Sequence, residues 1–291
     1  MTRIRIDSCP ICKGNHFIHR ISYTDSISGE VFEILQCSDC GLHVTQDAPR
    51  REEMERYYPN DEDLCYRPTQ NSSEKWIEHL LAGWYREQVK RVRTEADRLS
   101  GVLLEMGCKQ GYFANAIRNS GWIAHAVECD TRAREYANKR FLLQVEPGKR
   151  FFDIHARSYN VVVAWDTLGE AIDLHRTLDK LKQLIVSDGT IIIAFHNAMG
   201  TQAGRMGAHW AGWDAPRKRW HLTPSSFEKL VEQHHLEIVN CSTSARRSFI
   251  TSVTTLWQAA QGKKILKPTI DSLTQRDNDT YYIYTLKGKT E

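Results

Sequence analysis

Three observations predict an α/β protein in two parts. Two Cys-x-x-Cys pairs stand near the start, short apolar strands alternate with amphipathic helices beyond residue 101, and a glycine-bearing turn joins the first of those strands to its helix. The expected architecture is a small zinc ribbon over residues 1–48, a connector over 49–72, and a doubly wound parallel sheet with helices on both faces over 73–291. A length of 291 residues fits about two domains. The 39 Lys and Arg against 36 Asp and Glu leave a net charge of +3, with 41% hydrophobic and 26% charged residues. That balance excludes a disordered chain and a polyanion-binding tail.

The cysteines define the first part. Cys9-Pro-Ile-Cys12 and Cys37-Ser-Asp-Cys40 are matched pairs with 24 residues between them. No run approaches the roughly 18 apolar residues of a membrane span. The longest notable run, 191–195, is strand-sized, and residues 1–9 lack the apolar segment of a secretory signal. The expected compartment is therefore the reducing cytoplasm, where this spacing reads as a tetrahedral thiolate zinc site rather than two disulfides. Lys13-Gly14 and Gly41 follow the pairs and supply the turns on which two sulfurs converge. Phe32 and Ile34 alternate as in a hairpin strand, and so small a unit requires the metal to hold it. Four cysteine ligands leave no open coordination position, so the metal is expected to be structural. Cys65, Cys108, Cys129 and Cys241 are scattered and read as packing residues.

After the mixed connector, Trp76, Leu80, Leu81, Trp84, Tyr85, Val89 and Val92 recur at helical spacing over residues 73–98. Lys90, Arg91 and Arg93 on that helix read as a solvated face, with phosphate contact as the alternative. Residues 102–106 form an apolar strand, followed by Gly107-Cys108-Lys109-Gln110-Gly111 and a helix over 112–119. A second strand over 122–127 stops at Glu128, and a helix opens at Thr131. Strand, glycine turn, helix, strand, acid is the nucleotide-binding βαβ arrangement. Small residues let the backbone approach a ligand, the helix start offers unpaired N–H groups, and the acid accepts from ribose hydroxyls. The alternation continues with a strand at 159–164, a helix at 170–186, a turn at Asp188-Gly189 and a strand at 190–195. Thr223-Pro224-Ser225-Ser226 caps a helix running to residue 235, and strands at 236–239 and 281–286 close the sheet.

Residues 103–113, Leu-Leu-Glu-Met-Gly-Cys-Lys-Gln-Gly-Tyr-Phe, with Glu128 after the second strand, resemble the cofactor motif of class I S-adenosylmethionine-dependent methyltransferases. Asn197, the Gly207-Ala-His-Trp210 stretch, Pro216-Arg217, His221 and Thr223-Pro224 are similar to a subgroup whose members often carry an N-terminal zinc ribbon. The Cys-Pro-x-Cys, Cys-x-x-Cys-Gly-Leu and Tyr57-Tyr58 elements are similar to it as well. The resemblance spans most of the chain and implies a Rossmann-like methyltransferase sheet. It also implies S-adenosylmethionine as cofactor, with Glu105, Gly107, Cys108, Lys109 and Gly111 beside its methionine part and Glu128 on its ribose. The chain departs from the family where Lys109 replaces the middle glycine, His196 replaces a proline and Lys218 replaces a histidine. After the fourth strand it reads Trp165-Asp-Thr-Leu-Gly-Glu170 instead of an apolar pair and Glu-His. Gly148-Lys149 stands at the adenine-contacting position, with Glu146 or Asp153 as substitutes.

Methyl transfer from a sulfonium is an in-line displacement, so alignment of the acceptor supplies most of the catalysis. The long connection over 195–222, at the C-terminal edge of the sheet, is the expected acceptor region. His221 is the first candidate base, with packing beneath the loop as its alternative, and His196 is the second. Trp210, Trp213 and Trp220 read as packing residues, and Arg217-Lys218-Arg219 as a solvated run or a contact to a phosphate-bearing acceptor. Three functions compete. The first is methyl transfer to a small or carrier-bound metabolite, such as a sugar nucleotide or lipid-like intermediate. The second is a catalytically degenerate fold acting as a binding or assembly partner, and the third is RNA methylation, which the near-neutral charge disfavours. The ribbon is a candidate surface for substrate recognition or a protein partner.

Overall fold

The computed structural model describes residues 3–58, 72–247, 250 and 279–289. Cys65 and the side chains of Trp76 and Leu80 lie outside what is described. In chain order the strands are β1 (Phe17–Thr24), β2 (Val31–Cys37), β3 (His43–Thr45), β4 (Val102–Met106), β5 (Ile123–Glu128) and β6 (Val145–Pro147). There follow β7 (Tyr159–Trp165), β8 (Ile185–His196), β9 (Trp220–His221), β10 (Leu236–Thr243) and β11 (Tyr281–Gly288). The helices are α1 (Ser72–Glu95), α2 (Tyr112–Arg118), α3 (Thr131–Phe141), α4 (Leu174–Leu184), α5 (Thr201–Met206) and α6 (Pro224–Gln233).

Seven strands form one sheet in the order β10-β11-β8-β7-β4-β5-β6. β4 to β8 run parallel, and β11 lies antiparallel between β8 and β10. The central strands are continuous apolar runs, Val161-Val-Val-Ala164 and Ile191-Ile-Ile-Ala194, because both faces of a parallel sheet are covered. On one face lie Trp84, Val89 and Val92 of α1 with Phe113 and Ile117 of α2; on the other lie Leu178 and Leu181 of α4 with Phe227 and Leu230 of α6. From β4 the chain first winds one way to β5 and β6, then crosses back to β7 and β8. A crevice opens above the C-terminal ends of β4 and β7, where that direction reverses.

Local chemistry sets the helix starts. The Asp130 carboxylate accepts the Arg132 N–H at 2.9 Å to begin α3, and Thr223 with Ser226 forms a capping box at α6 with Pro224 in the first turn. The expected helix over 170–186 divides for the same reason. Asp173 accepts the Arg176 N–H at 3.0 Å and starts α4 at Leu174, after a 3-10 turn at Leu168–Glu170. Nor does Asp188-Gly189 start a new strand, since β8 already begins at Ile185 and takes up the turn as a register shift against β7.

The second sheet is antiparallel, in the order β1-β2-β3-β9. Its fourth strand comes from the long connection after β8, with Val44 paired to Trp220 and His43 to His221. Ile6, Ile11, Leu42 and Val44 of the N-terminal region share one apolar core with Leu178, Leu222 and Phe227. The ribbon therefore has no core of its own. The 195–222 segment, expected as an open connection, contains α5 and β9 and buries Trp210, Trp213 and Trp220. Among the described residues no helix is long and apolar enough to cross a membrane.

Candidate active site and metal centre

Four sulfurs converge at the N-terminal end. Those of Cys9, Cys12, Cys37 and Cys40 all lie within 4.8 Å of one another, with Cys9 to Cys40 at 3.5 Å and Cys12 to Cys37 at 3.4 Å. These separations are far beyond a disulfide and near the ~3.8 Å edge of a tetrahedron with 2.3 Å zinc–sulfur bonds. The Cys9 thiol is pushed down to about 5 by the bond to Cys40, against burial and with help from the Cys12 and Ile11 N–H groups. The donor set, its spacing and its amide-stabilised thiolate fit a four-coordinate thiophilic metal.

The same turns are gripped by the larger sheet's helices. His175 Nε2 donates to the Pro10 carbonyl at 2.9 Å and Gln233 to that of Ile11 at 2.9 Å. His175 Nδ1 in turn meets His234 Nε2 at 2.8 Å, and His234 Nδ1 meets Asp179 at 2.6 Å.

The second centre is the crevice at the switch point, a cleft of about 780 Å³. Gly107 and Gly111, both left-handed at φ 72° and 76°, bracket the turn from β4 into α2. A Cβ on Gly107 would lie 2.5 Å from Thr167, so the turn admits no side chain there. Glu128, at the end of β5, accepts the Lys109 N–H at 2.7 Å through one carboxylate oxygen and the Asp130 N–H at 2.9 Å through the other. Gly107 and Glu128 line the cleft, together with Cys129, Gly148, Phe151 and Asp153. Of the two substitute acids, Asp153 reaches the cleft and Glu146 does not. Glu105 and Cys108 are buried behind the turn. Among the described residues one oxygen of Glu105 is a buried acceptor without a donor, and burial raises its carboxyl well above the usual range. An orphaned acceptor beneath a glycine turn fits a ligand that carries a donor, such as an amine.

Lys109 holds φ 51°, and its backbone N–H donates to Glu128. Its ammonium turns to Glu170, 3.7 Å away. Against burial, the Glu170, Asp166 and Asp214 charges keep it protonated. Glu170 lines the cleft, and burial pushes its carboxyl up to about 8, opposed by Lys109 and reinforced by Glu128. Tyr58 also lines the cleft, with a phenol raised by burial and by Glu170, Cys129 and Glu128, and so keeps its proton.

The two histidines lie elsewhere. His221 on β9 is buried with Nε2 2.9 Å from the Thr45 hydroxyl. That hydroxyl already donates to the Lys218 carbonyl at 2.7 Å, so it accepts from His221, which carries its proton on Nε2. Burial, with the His43 and Lys218 charges, drives its pKa well down. His221, the first candidate base, thus sits where β9 pairs with β3 inside the four-stranded sheet. His196 stands 2.9 Å from Asp166, and burial pushes it down to about 4 with Lys218 and Arg247 opposing its charge. Burial would raise Asp166, but His196 and Lys218 win and hold its carboxyl well below the usual range. Neither histidine lines the large cleft; both border a cavity of only about 10 Å³. Spacing toward Glu128 marked the cofactor turn in the sequence. Arg219 belongs to the basic run 217–219 that the sequence offers as a phosphate contact, whereas Glu170, the other cleft residue that matters, carries no local signal beyond being polar.

A seven-stranded doubly wound sheet with a glycine turn, a terminal acid and a cleft at the switch point defines a class, the Rossmann-like enzymes that bind a nucleoside-containing cofactor. A profile described as methyltransferase domain matches residues 76–240, more than half of the chain. The chain belongs to this family, the class I S-adenosylmethionine-dependent methyltransferases. Among solved structures, geranyl diphosphate C-methyltransferase from Streptomyces coelicolor A3(2), in complex with Mg2+, geranyl diphosphate and S-adenosyl-L-homocysteine, is similar at TM-score 0.54 and 13% identity. The match covers 83% of this chain and 98% of that one. Magnesium protoporphyrin IX methyltransferase from Synechocystis PCC 6803 with bound SAH is similar at TM-score 0.51 and 11% identity, over 77% of this chain and 91% of that one. No curated protein sequence matches.

Proposed function

We propose that this chain transfers a methyl group from S-adenosylmethionine to a small or carrier-bound metabolite, on a scaffold braced by zinc at Cys9, Cys12, Cys37 and Cys40. The observation that carries this reading is the cleft shared by the Gly107 turn and the Glu128 carboxylate, whose volume of about 780 Å³ exceeds the needs of a cofactor alone. Both solved relatives act on small molecules, geranyl diphosphate and magnesium protoporphyrin IX by their names. When bound, S-adenosylmethionine supplies an electrophilic methyl group on a sulfonium.

The chain's own residues would do the rest. Glu128 keeps lone pairs for two ribose hydroxyls beside its backbone N–H partners. Gly107 leaves the backbone open to close approach, and Glu105 offers its orphaned oxygen to the amino group of the methionine part. Glu170 takes the place of the histidines as base, since it lines the cleft and its carboxyl near 8 suits proton transfer close to neutral pH. Tyr58 is a proton-bearing donor on the same wall.

A second reading, a degenerate fold that binds a partner through the ribbon, is favoured by the Lys109–Glu170 contact, which commits both charged groups to each other. Calorimetric titration with S-adenosylmethionine and S-adenosylhomocysteine separates the two. Saturable binding, weakened about tenfold or more in Glu128→Ala, is the expected result. Silence at millimolar ligand would sink the first reading and leave the second.

A further inference from the structure

Residues 217 to 219 are three consecutive cations, and the structure treats them differently. Arg217 is pinned between Asp25 and Asp214, both at 2.7 Å, and Lys218 meets Asp166 at 2.9 Å. Each of those charges is neutralised within the fold. Arg219 is also buried, at 8% exposed, yet among the described residues no carboxylate lies within ion-pair distance of it. One guanidinium nitrogen donates to the Pro49 carbonyl at 3.0 Å. The backbone is fixed on both sides, its N–H donating to the Gly169 carbonyl at 2.8 Å and its carbonyl accepting the Thr45 N–H at 2.9 Å.

Arg219 lines the large cleft, and Arg51 lines the same cleft from the connector. A buried charge without a counter-charge is costly, and a fork of five donors with one in use has a strong preference for a planar or tetrahedral oxyanion. Burial lowers its pKa.

We propose that Arg219, with Arg51, forms an oxyanion subsite that takes the phosphate or carboxylate of the methyl acceptor. This rests on the methyltransferase reading above, and deepens it: the acceptor is an anion. The same chemistry is present in the carboxylate of the cofactor's methionine part, and the test distinguishes the two sources.

The experiment is calorimetry of the full-length protein with inorganic pyrophosphate, with and without saturating S-adenosylhomocysteine. The expected result is pyrophosphate binding in both states. Arg219→Gln should weaken it about tenfold or more while S-adenosylhomocysteine binds within about twofold of wild type. Arg219→Lys, which keeps the charge and loses the fork, should fall between. Arg51→Gln, at an exposed residue, should weaken pyrophosphate severalfold. Displacement of S-adenosylhomocysteine by pyrophosphate, with weaker cofactor binding in Arg219→Gln, would assign the subsite to the cofactor and overturn the proposal. Equal pyrophosphate binding in wild type, Arg219→Gln and Arg51→Gln would overturn it as an adventitious ion only. A wild type that ignores S-adenosylhomocysteine but binds pyrophosphate through Arg219 would overturn the cofactor reading instead.

Discussion

The two sheets reach order by different routes. In the seven-stranded sheet β7 and β8 carry uninterrupted apolar runs, and the pairs β4–β5 and β7–β8 each close across a single α-helix of sequence. In the four-stranded sheet β3 and β9 have only three and two residues, the apolar residues are divided between a core shared with the larger sheet and a cluster shared with the 195–222 segment, and β9 joins β3 across 176 residues. Burial alone sustains the first. The second depends on four sulfurs at one end and a borrowed strand at the other, and Arg217 and Arg219, on the run into that strand, carry the dependence to the cleft wall.

The largest test of that contrast is removal of a ligand. Structural zinc contributes on the order of 10 kcal/mol in comparable small domains, so Cys37→Ser is expected to abolish one bound zinc per chain by elemental analysis. Hydrogen exchange should then rise across β1 to β3 while β4, β7 and β8 stay protected. Uniform loss of protection would break the distinction between the sheets. A smaller effect is expected at the seam itself. Thr45→Val keeps the shape but strips the hydroxyl that serves the Lys218 carbonyl and His221, costing about 1–3 kcal/mol in a denaturant titration. No measurable cost would mean that the borrowed strand holds by backbone pairing alone.

On the seven-stranded side the effects are finer. The Glu170 carboxyl is pushed from 4.5 up to about 8 in the folded chain. Between those values the unfolded chain has released its proton and the folded chain has not, so the contribution of Glu170 is whole below 4.5 and is lost as pH rises through about 8. Glu170→Gln should therefore flatten the fall in melting temperature between pH 5 and 8.5, and an unchanged slope would refute the raised carboxyl. Smallest of all is Lys109→Gly. Relief of a left-handed lysine at φ 51° offsets the backbone freedom gained by the unfolded chain, leaving stability within about 0.5 kcal/mol of wild type.

Legibility follows the same division. The turn from Gly107 to Gly111, Glu128 at a strand end and the four cysteines are local patterns whose spacing carries their geometry. The strand of two residues at Trp220–His221 has no periodicity to read, and its partner lies in another part of the chain. His221 therefore looked like a loop histidine near a helix start, although pairing places it in the seam. The splitting of the helix at Asp173 was visible in principle, since an aspartate three residues before an amide is a cap, but the apolar period through 170–186 outweighed it. Asp166 and Lys218 are 52 residues apart, and nothing in either neighbourhood announces that they neutralise each other.

The borrowed strand also sets a timetable for synthesis. At roughly 5–20 residues per second, β3 leaves the ribosome about 9–35 s before the residues of β9 that complete its sheet. Through that interval the N-terminal segment carries an unpaired strand edge and an uncovered apolar face, the features that invite association with other chains. The edge is only three residues long, which limits the hazard, and the four cysteines are already available to close around a metal. Nascent chains halted before residue 215 should thus be more protease-sensitive in β1 to β3 than chains halted past the end of α6. Equal sensitivity would show that the N-terminal unit matures without waiting for the rest of the polypeptide.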